Sequence, residues 1–149
     1  MQFDGPSVIE ALSEEWAWIL PPINQVLAVS SMGNVFVECN DQSYWRVCPE
    51  ELTAETVART SEELDALYSS TEYKKDWEMA NLVTDLIESY GDPLIGECFG
   101  LTIPAVLSGE YSIDNIRRRG LYEHLRFTGD VARQTKDLKD GDILKFEWV

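Results

Sequence analysis

The chain has 149 residues, of which 44% are hydrophobic and 11% aromatic. That is the size of one domain with material for a packed core, and it excludes a disordered acidic tail. Its formal charge of −15 repels nucleic-acid phosphates and anionic lipid headgroups, and favours encounter with basic surfaces.

Residues 4–20 predict an amphipathic helix. Asp4 is placed to cap it, Pro6 suits the first turn, and Val8, Leu12, Trp16 and Ile19 recur at helical spacing. Pro21-Pro22 supplies a stop, because proline lacks the amide donor. Three strand-like runs follow, 26–31, 34–39 and 43–48, separated by Met32-Gly33-Asn34 and Asn40-Asp41-Gln42. Val35, Val37 and Cys39 alternate with Phe36 and Glu38, as in an antiparallel meander with two different faces. Residues 52–58 read equally as a further strand or a short helix.

Thr60-Ser61-Glu62-Glu63 is a capping box that opens a helix through Tyr68. A longer helix is expected from Glu72 to Tyr90. Its stripe is Tyr73, Trp77, Ala80, Val83, Ile87 and Tyr90, widened by Leu82 and Leu86, and Gly91-Asp92-Pro93 ends it. Strands are expected at 98–100, 102–107 and 113–118, with a turn at Ser108-Gly109. A helix is expected from Leu121 to about Gln134, with Leu121, Leu125, Thr128 and Ala132 inward. A turn at Asp140-Gly141-Asp142 would lead to a last strand, 143–149. The fold class is therefore α+β: a single domain over 1–149, in which several helices pack against an antiparallel sheet.

Cys39, Cys48 and Cys98 are odd in number and lie in apolar surroundings, which reads as reduced, buried thiols in a reducing cytosol. With His124 they are the chain's soft metal ligands, but their long separations lack the close pairs of a zinc site, so no metal and no cofactor is expected. Cys98 with His124, or Glu97 with Glu123, would be the pairs for an enzyme, and nothing local supports either. Glycine-rich phosphate loops, GxSxG elbows and HExxH helices do not occur in the sequence. Arg117-Arg118-Arg119 reads as a charged edge strand paired internally with nearby acids. The first apolar stretch, about 8–20, is broken by Glu10, Ser13, Glu14 and Glu15 and lacks a basic start, so neither an export signal nor a membrane span is expected.

The acid is unevenly spread. Residues 1–70 hold 12 acids and 2 bases, and residues 71–149 hold 15 and 10. Acid-rich groups occur at Glu50-Glu51-Glu55, at Glu62-Glu63-Asp65 and at Glu72 with Asp76. They are solvated faces or a contact surface for a cationic protein groove. Trp45, Tyr68, Tyr73 and Trp77 lie near them, Tyr73 and Trp77 fitting the core stripe better.

From Gly96-Glu97-Cys98-Phe99-Gly100 through Leu101-Thr102-Ile103-Pro104 to Gly109-Glu110-Tyr111, and on through Ile113-Asp114-Asn115-Ile116 and Glu123-His124-Leu125, the chain resembles the Tdi-type immunity domain of bacterial type VI secretion systems. Gly33-Asn34-Val35-Phe36-Val37 and Tyr44-Trp45 resemble its strand-rich start, so the likeness runs over about 25–140. Many members carry a GAD-like N-terminal domain, and this chain begins with a short helix instead. The resemblance implies a cytosolic, non-enzymatic protein that binds and neutralises a secreted toxin of the polymorphic or Rhs type, with no catalytic residues to carry over. The expected partner is a toxin with a basic surface, not nucleic acid or membrane. The expected mechanism is a tight stoichiometric complex that occludes the toxin's active site, with Glu62, Glu63, Asp65, Glu72 and Asp76 as its contact residues. The alternative from the residues alone is a cytosolic adaptor or scaffold without a toxin.

Overall fold

The computed structural model describes residues 2–138. Asp4 caps the first helix, α1 (Gly5–Glu15), by accepting from the Ser7 amide at 3.0 Å. Four strands follow as an antiparallel meander in sequential order: β1 (Ile23–Val29), β2 (Val35–Cys39), β3 (Tyr44–Cys48) and β4 (Thr53–Ala58). Of residues 52–58, read as strand or helix, 53–58 resolve as strand. Helices α2 (Ser61–Ser69), α3 (Thr71–Glu78) and α4 (Ala80–Tyr90) lead to a two-stranded antiparallel sheet of β5 (Glu97–Leu101) and β6 (Ile116–Gly120). Helix α5 (Leu121–Thr135) follows β6 directly. The architecture is α+β, as the sequence indicates.

Because side chains alternate across a strand, β2 serves two layers. Val35, Val37 and Cys39 face a core with Val8 and Leu12 from α1, Trp16 just after it, and Leu121, Leu125, Val131 and Ala132 from α5. Trp16 is fully buried and its indole N–H donates to the Leu125 carbonyl at 2.9 Å. The two helices close together there because position 129 is glycine: a Cβ on it would lie 2.7 Å from the Trp16 ring. A second core, of Met32, Leu86, Phe99, Leu101 and Ile116, lies between α4 and the β5–β6 pair. The Phe99 amide donates to the Ser31 carbonyl at 2.8 Å and joins the two sheets.

Several elements differ from the sequence reading. Helix α1 stops at Glu15, short of Leu20. Trp16 leaves helical geometry so that its indole can enter the α5 interface, and residues 17–20 form a turn closed by the Leu20 amide on the Trp16 carbonyl. The helix expected over 72–90 is two helices, broken at Met79, whose φ of 45° is left-handed. Its apolar stripe is divided accordingly: Tyr73 and Trp77 pack on Phe36, while Leu82, Val83, Ile87 and Tyr90 pack on the second core. Residues 102–107 form no strand. Pro104 has no amide to donate to a ladder, and Ala105–Leu107 is a single 3-10 turn. A second such turn, Ile113–Asn115, precedes β6, which starts three residues later than expected. The expected turn at 140–142 and strand at 143–149 lie outside the described residues.

Candidate functional site

Helices α2 and α3 begin with built caps. The Thr60 hydroxyl accepts from the Glu63 amide at 3.1 Å, and the Glu63 carboxylate reaches back to the Arg59 amide at 2.8 Å. The Ser70 hydroxyl accepts from the Tyr73 amide at 3.2 Å. These caps turn Glu62, Glu63, Asp65, Glu72 and Asp76 to the surface, where all five are exposed. They are not equivalent. Glu63 is engaged by its own helix start, and Asp76 holds Arg46 at 2.6 Å. Among the described residues Glu62, Asp65 and Glu72 form no ion pair, and they stand towards solvent.

Beneath them the outer face of the sheet carries a polar and aromatic network. Phe36 stacks on Trp77 with centroids 4.4 Å apart, stacks on Tyr73 at 5.9 Å, and meets Tyr68 edge-on at 5.9 Å. The Arg46 guanidinium lies over the Tyr73 and Trp77 rings at 5.4 and 5.3 Å, a cation–π arrangement. Its Nε donates to the Asn34 side-chain oxygen at 2.9 Å, and the Asn34 amide donates to both oxygens of Glu50 at 2.8 Å. Glu50 is 2% exposed. Burial pushes its carboxyl above the usual carboxylate range, the Asn34 bond opposing that shift. The acidic group read as Glu50-Glu51-Glu55 is therefore not one surface, because its first member is a buried strut.

Beside this network runs an open groove of about 790 Å³, lined by Glu51, Lys75, Asp76, Glu78, Met79, Asn81, Leu82 and Tyr111. The α3–α4 break at Met79 forms one wall. The opposite wall is Tyr111, on the loop 102–115, whose hydroxyl donates to Glu51. Burial and that bond push the Tyr111 hydroxyl far up, so it remains a donor at all working pH values. Asn115 ties the loop together. Its amide donates to the carbonyls of Ile103 and Glu110, both at 2.9 Å, and its oxygen accepts from the Ile103 amide at 3.0 Å. Gly109 lets the strands of the loop touch, since a Cβ there would lie 1.7 Å from the Ile103 carbonyl oxygen. The loop holds Ile103 at 50% and Val106 at 60% exposure. The sequence reading passed over both, having assigned them to a strand.

The residues weighed for catalysis or metal binding are placed as structural groups. Burial raises the Cys39 thiol to about 11 and the Cys98 thiol to about 12, and raises Cys48 further. His124 is lowered to about 4, first by burial and then by Arg119. Cys98 and His124 both pack around Gly33, but a protonated thiol beside a neutral imidazole is not an activated pair. Among the described residues no group of His, Cys, Asp or Glu is arranged to hold a metal ion. Glu97 faces Arg118 at 3.6 Å and accepts from the Leu94 amide, while Glu123 sits in the first turn of α5. In the arginine run, among the described residues, only Arg118 forms an ion pair with an acid. Arg117 binds the Tyr90 hydroxyl and backbone carbonyls, and Arg119 binds the Gly100 carbonyl and the Thr102 hydroxyl.

The family described as "T6SS immunity protein Tdi1, C-terminal" matches residues 58–132, from the end of β4 into α5. The chain belongs to this family. The match takes in the acidic helices α2 and α3, the groove wall at Met79 and the whole loop 102–115. The β1–β3 meander, where the sequence resemblance begins, lies before it. No curated protein matches the sequence. The crystal structure of Atu4351 from Agrobacterium tumefaciens is similar in fold, with a TM-score of 0.57 at 12% identity, covering 84% of this chain and 63% of that one. The chain thus spans 63% of the length of that structural relative. No helix among the described residues is long and apolar enough to cross a membrane.

Proposed function

We propose that this immunity protein acts in the cytoplasm as a stoichiometric binder of one cognate secreted toxin, holding it in a tight complex that covers the toxin's active site and transforming nothing itself. The observation that carries the reading is the family match over 58–132, which coincides with the exposed acids of α2 and α3. The formal charge of −15 disfavours nucleic acid and anionic membrane as partners and steers the protein toward a toxin with a basic surface.

Glu62, Asp65 and Glu72 are the steering charges, with Glu63 and Asp76 contributing field while held by the Arg59 amide and by Arg46. Charges at an interface rim act mainly on encounter, so their reversal is expected to slow association by about tenfold at low salt and to flatten its salt dependence, leaving dissociation nearly unchanged. Stopped-flow mixing of Glu62→Lys, Asp65→Lys and Glu72→Lys together with the toxin encoded in the adjacent reading frame measures this. An unchanged rate and salt slope would remove these helices from the contact face.

A further inference from the structure

Two apolar side chains of the loop 102–115 are used by neither core. Ala105 packs on the second core and Leu107 on the first, yet Ile103 and Val106 are left 50% and 60% exposed. Exposed apolar residues standing singly need no explanation. These lie three residues apart on one segment held by three Asn115 hydrogen bonds, by the close Gly109 crossing and by the Tyr111–Glu51 bond. Such a segment has lost its conformational freedom before a partner arrives, which is the condition for a strong anchor.

The groove next to the loop tells what kind of partner fits. Its rim carries Glu51 and Glu78 against Lys75, and its Asp76 is already matched by Arg46. Apolar tips beside Glu78 and Glu51, whose charge the Tyr111 hydroxyl bond does not neutralise, complement an apolar depression bordered by Lys or Arg. A second copy of this chain, with its charge of −15, is repelled by the same carboxylates.

We propose that the loop 102–115 is the anchor that retains the toxin: Ile103 and Val106 enter an apolar depression on it, and a Lys or Arg at the edge of that depression is received by Glu51 and Glu78. The inference rests on the toxin-binding reading above and adds a division of labour. The acids of α2 and α3 govern how fast the complex forms, and this loop governs how long it lasts.

The test uses the full chain and the adjacent-frame toxin, inactivated so that it can be purified, in surface-plasmon-resonance kinetics. Ile103→Asp with Val106→Asp is expected to raise the dissociation rate by about 100-fold, with association changed less than about threefold. The milder Ile103→Ser with Val106→Ser should give an intermediate rise, and far-UV circular dichroism should match the wild type. Hydrogen exchange on the wild-type complex needs no variant and should show the 103–111 amides slowed by the toxin. Dissociation within about threefold of wild type, or unslowed 103–111 exchange in a formed complex, overturns the anchor and leaves toxin binding standing. A wild-type chain that captures none of the toxin overturns both.

Discussion

On one side of β2, Val35, Val37 and Cys39 meet aliphatic side chains of α1 and α5, with the Trp16 indole hydrogen-bonded to the Leu125 carbonyl. On the other side Phe36 is sheathed by Tyr68, Tyr73 and Trp77, and next to it run Arg46, Asn34 and the buried carboxylate of Glu50. The same strand thus supports a dry face and a polar one. The dry face places α5 and holds the fold. The polar face fixes the position of α3 and, through it, the groove and the acids above. Stability is assigned to the first and, under the proposed function, recognition to the second.

The sharpest way to break that division is Trp16→Ala. It removes a fully buried ring and the bond to the Leu125 carbonyl, and should cost about 4 kcal/mol in urea unfolding. A loss comparable to that of an exposed substitution would mean that the α1–α5 interface is not the stabilising side.

Acid sharpens the contrast next, since His124 on α5 and Glu50 beside the polar face respond with opposite sign. In the unfolded chain His124 protonates near its ordinary 6.5, in the folded protein only near about 4. Between these values the unfolded state holds the extra proton, so this group's contribution is complete above pH 6.5 and is lost as pH falls toward 4. At about 1.4 kcal/mol per pH unit, that withdraws about 3 kcal/mol. Glu50 is raised, so its contribution is largest below its ordinary value and is lost as pH rises through its folded one. Unfolding midpoints measured from pH 7 to pH 4 should show a flatter decline for His124→Gln than for the wild type. An equal decline would place the titrating group elsewhere.

The smallest expected effect belongs to Glu50→Gln. It removes the cost of burying a charge while keeping an acceptor for the Asn34 amide. Stability at pH 7 should change by no more than about 1 kcal/mol, with gain more expected than loss. A loss of several kcal/mol, measured by the same unfolding assay, would show that Arg46 and Glu50 act as one indispensable charged unit.

The residues that the sequence made legible share a physical reason. The β1–β3 meander shows because alternation and turn residues repeat in step, and the α2 start shows because Thr60 and Glu63 form a local motif. The α3–α4 break did not show, since Met79 is not a residue that advertises a left-handed turn and both halves of the stripe are apolar. The 102–107 segment looked like a strand because Ile103, Val106 and Leu107 favour one. Its shape is instead fixed by Asn115 and Gly109, which act across the loop rather than along it. Glu50 and Glu51 are adjacent and chemically alike, yet one is buried and one lines the groove. The difference lies in Asn34, a partner 16 residues away. Five acids on α2 and α3 were legible as surface, but not that the Arg59 amide holds Glu63 and Arg46 holds Asp76.

The central claim is that the protein works by occupying its toxin. Titrating it into a fixed amount of the active adjacent-frame toxin, with the toxin's own reaction as readout, tests this most directly. Activity is predicted to fall linearly and vanish at one immunity protein per toxin. Full toxin activity at a tenfold excess, or loss at far less than equimolar protein, would contradict it.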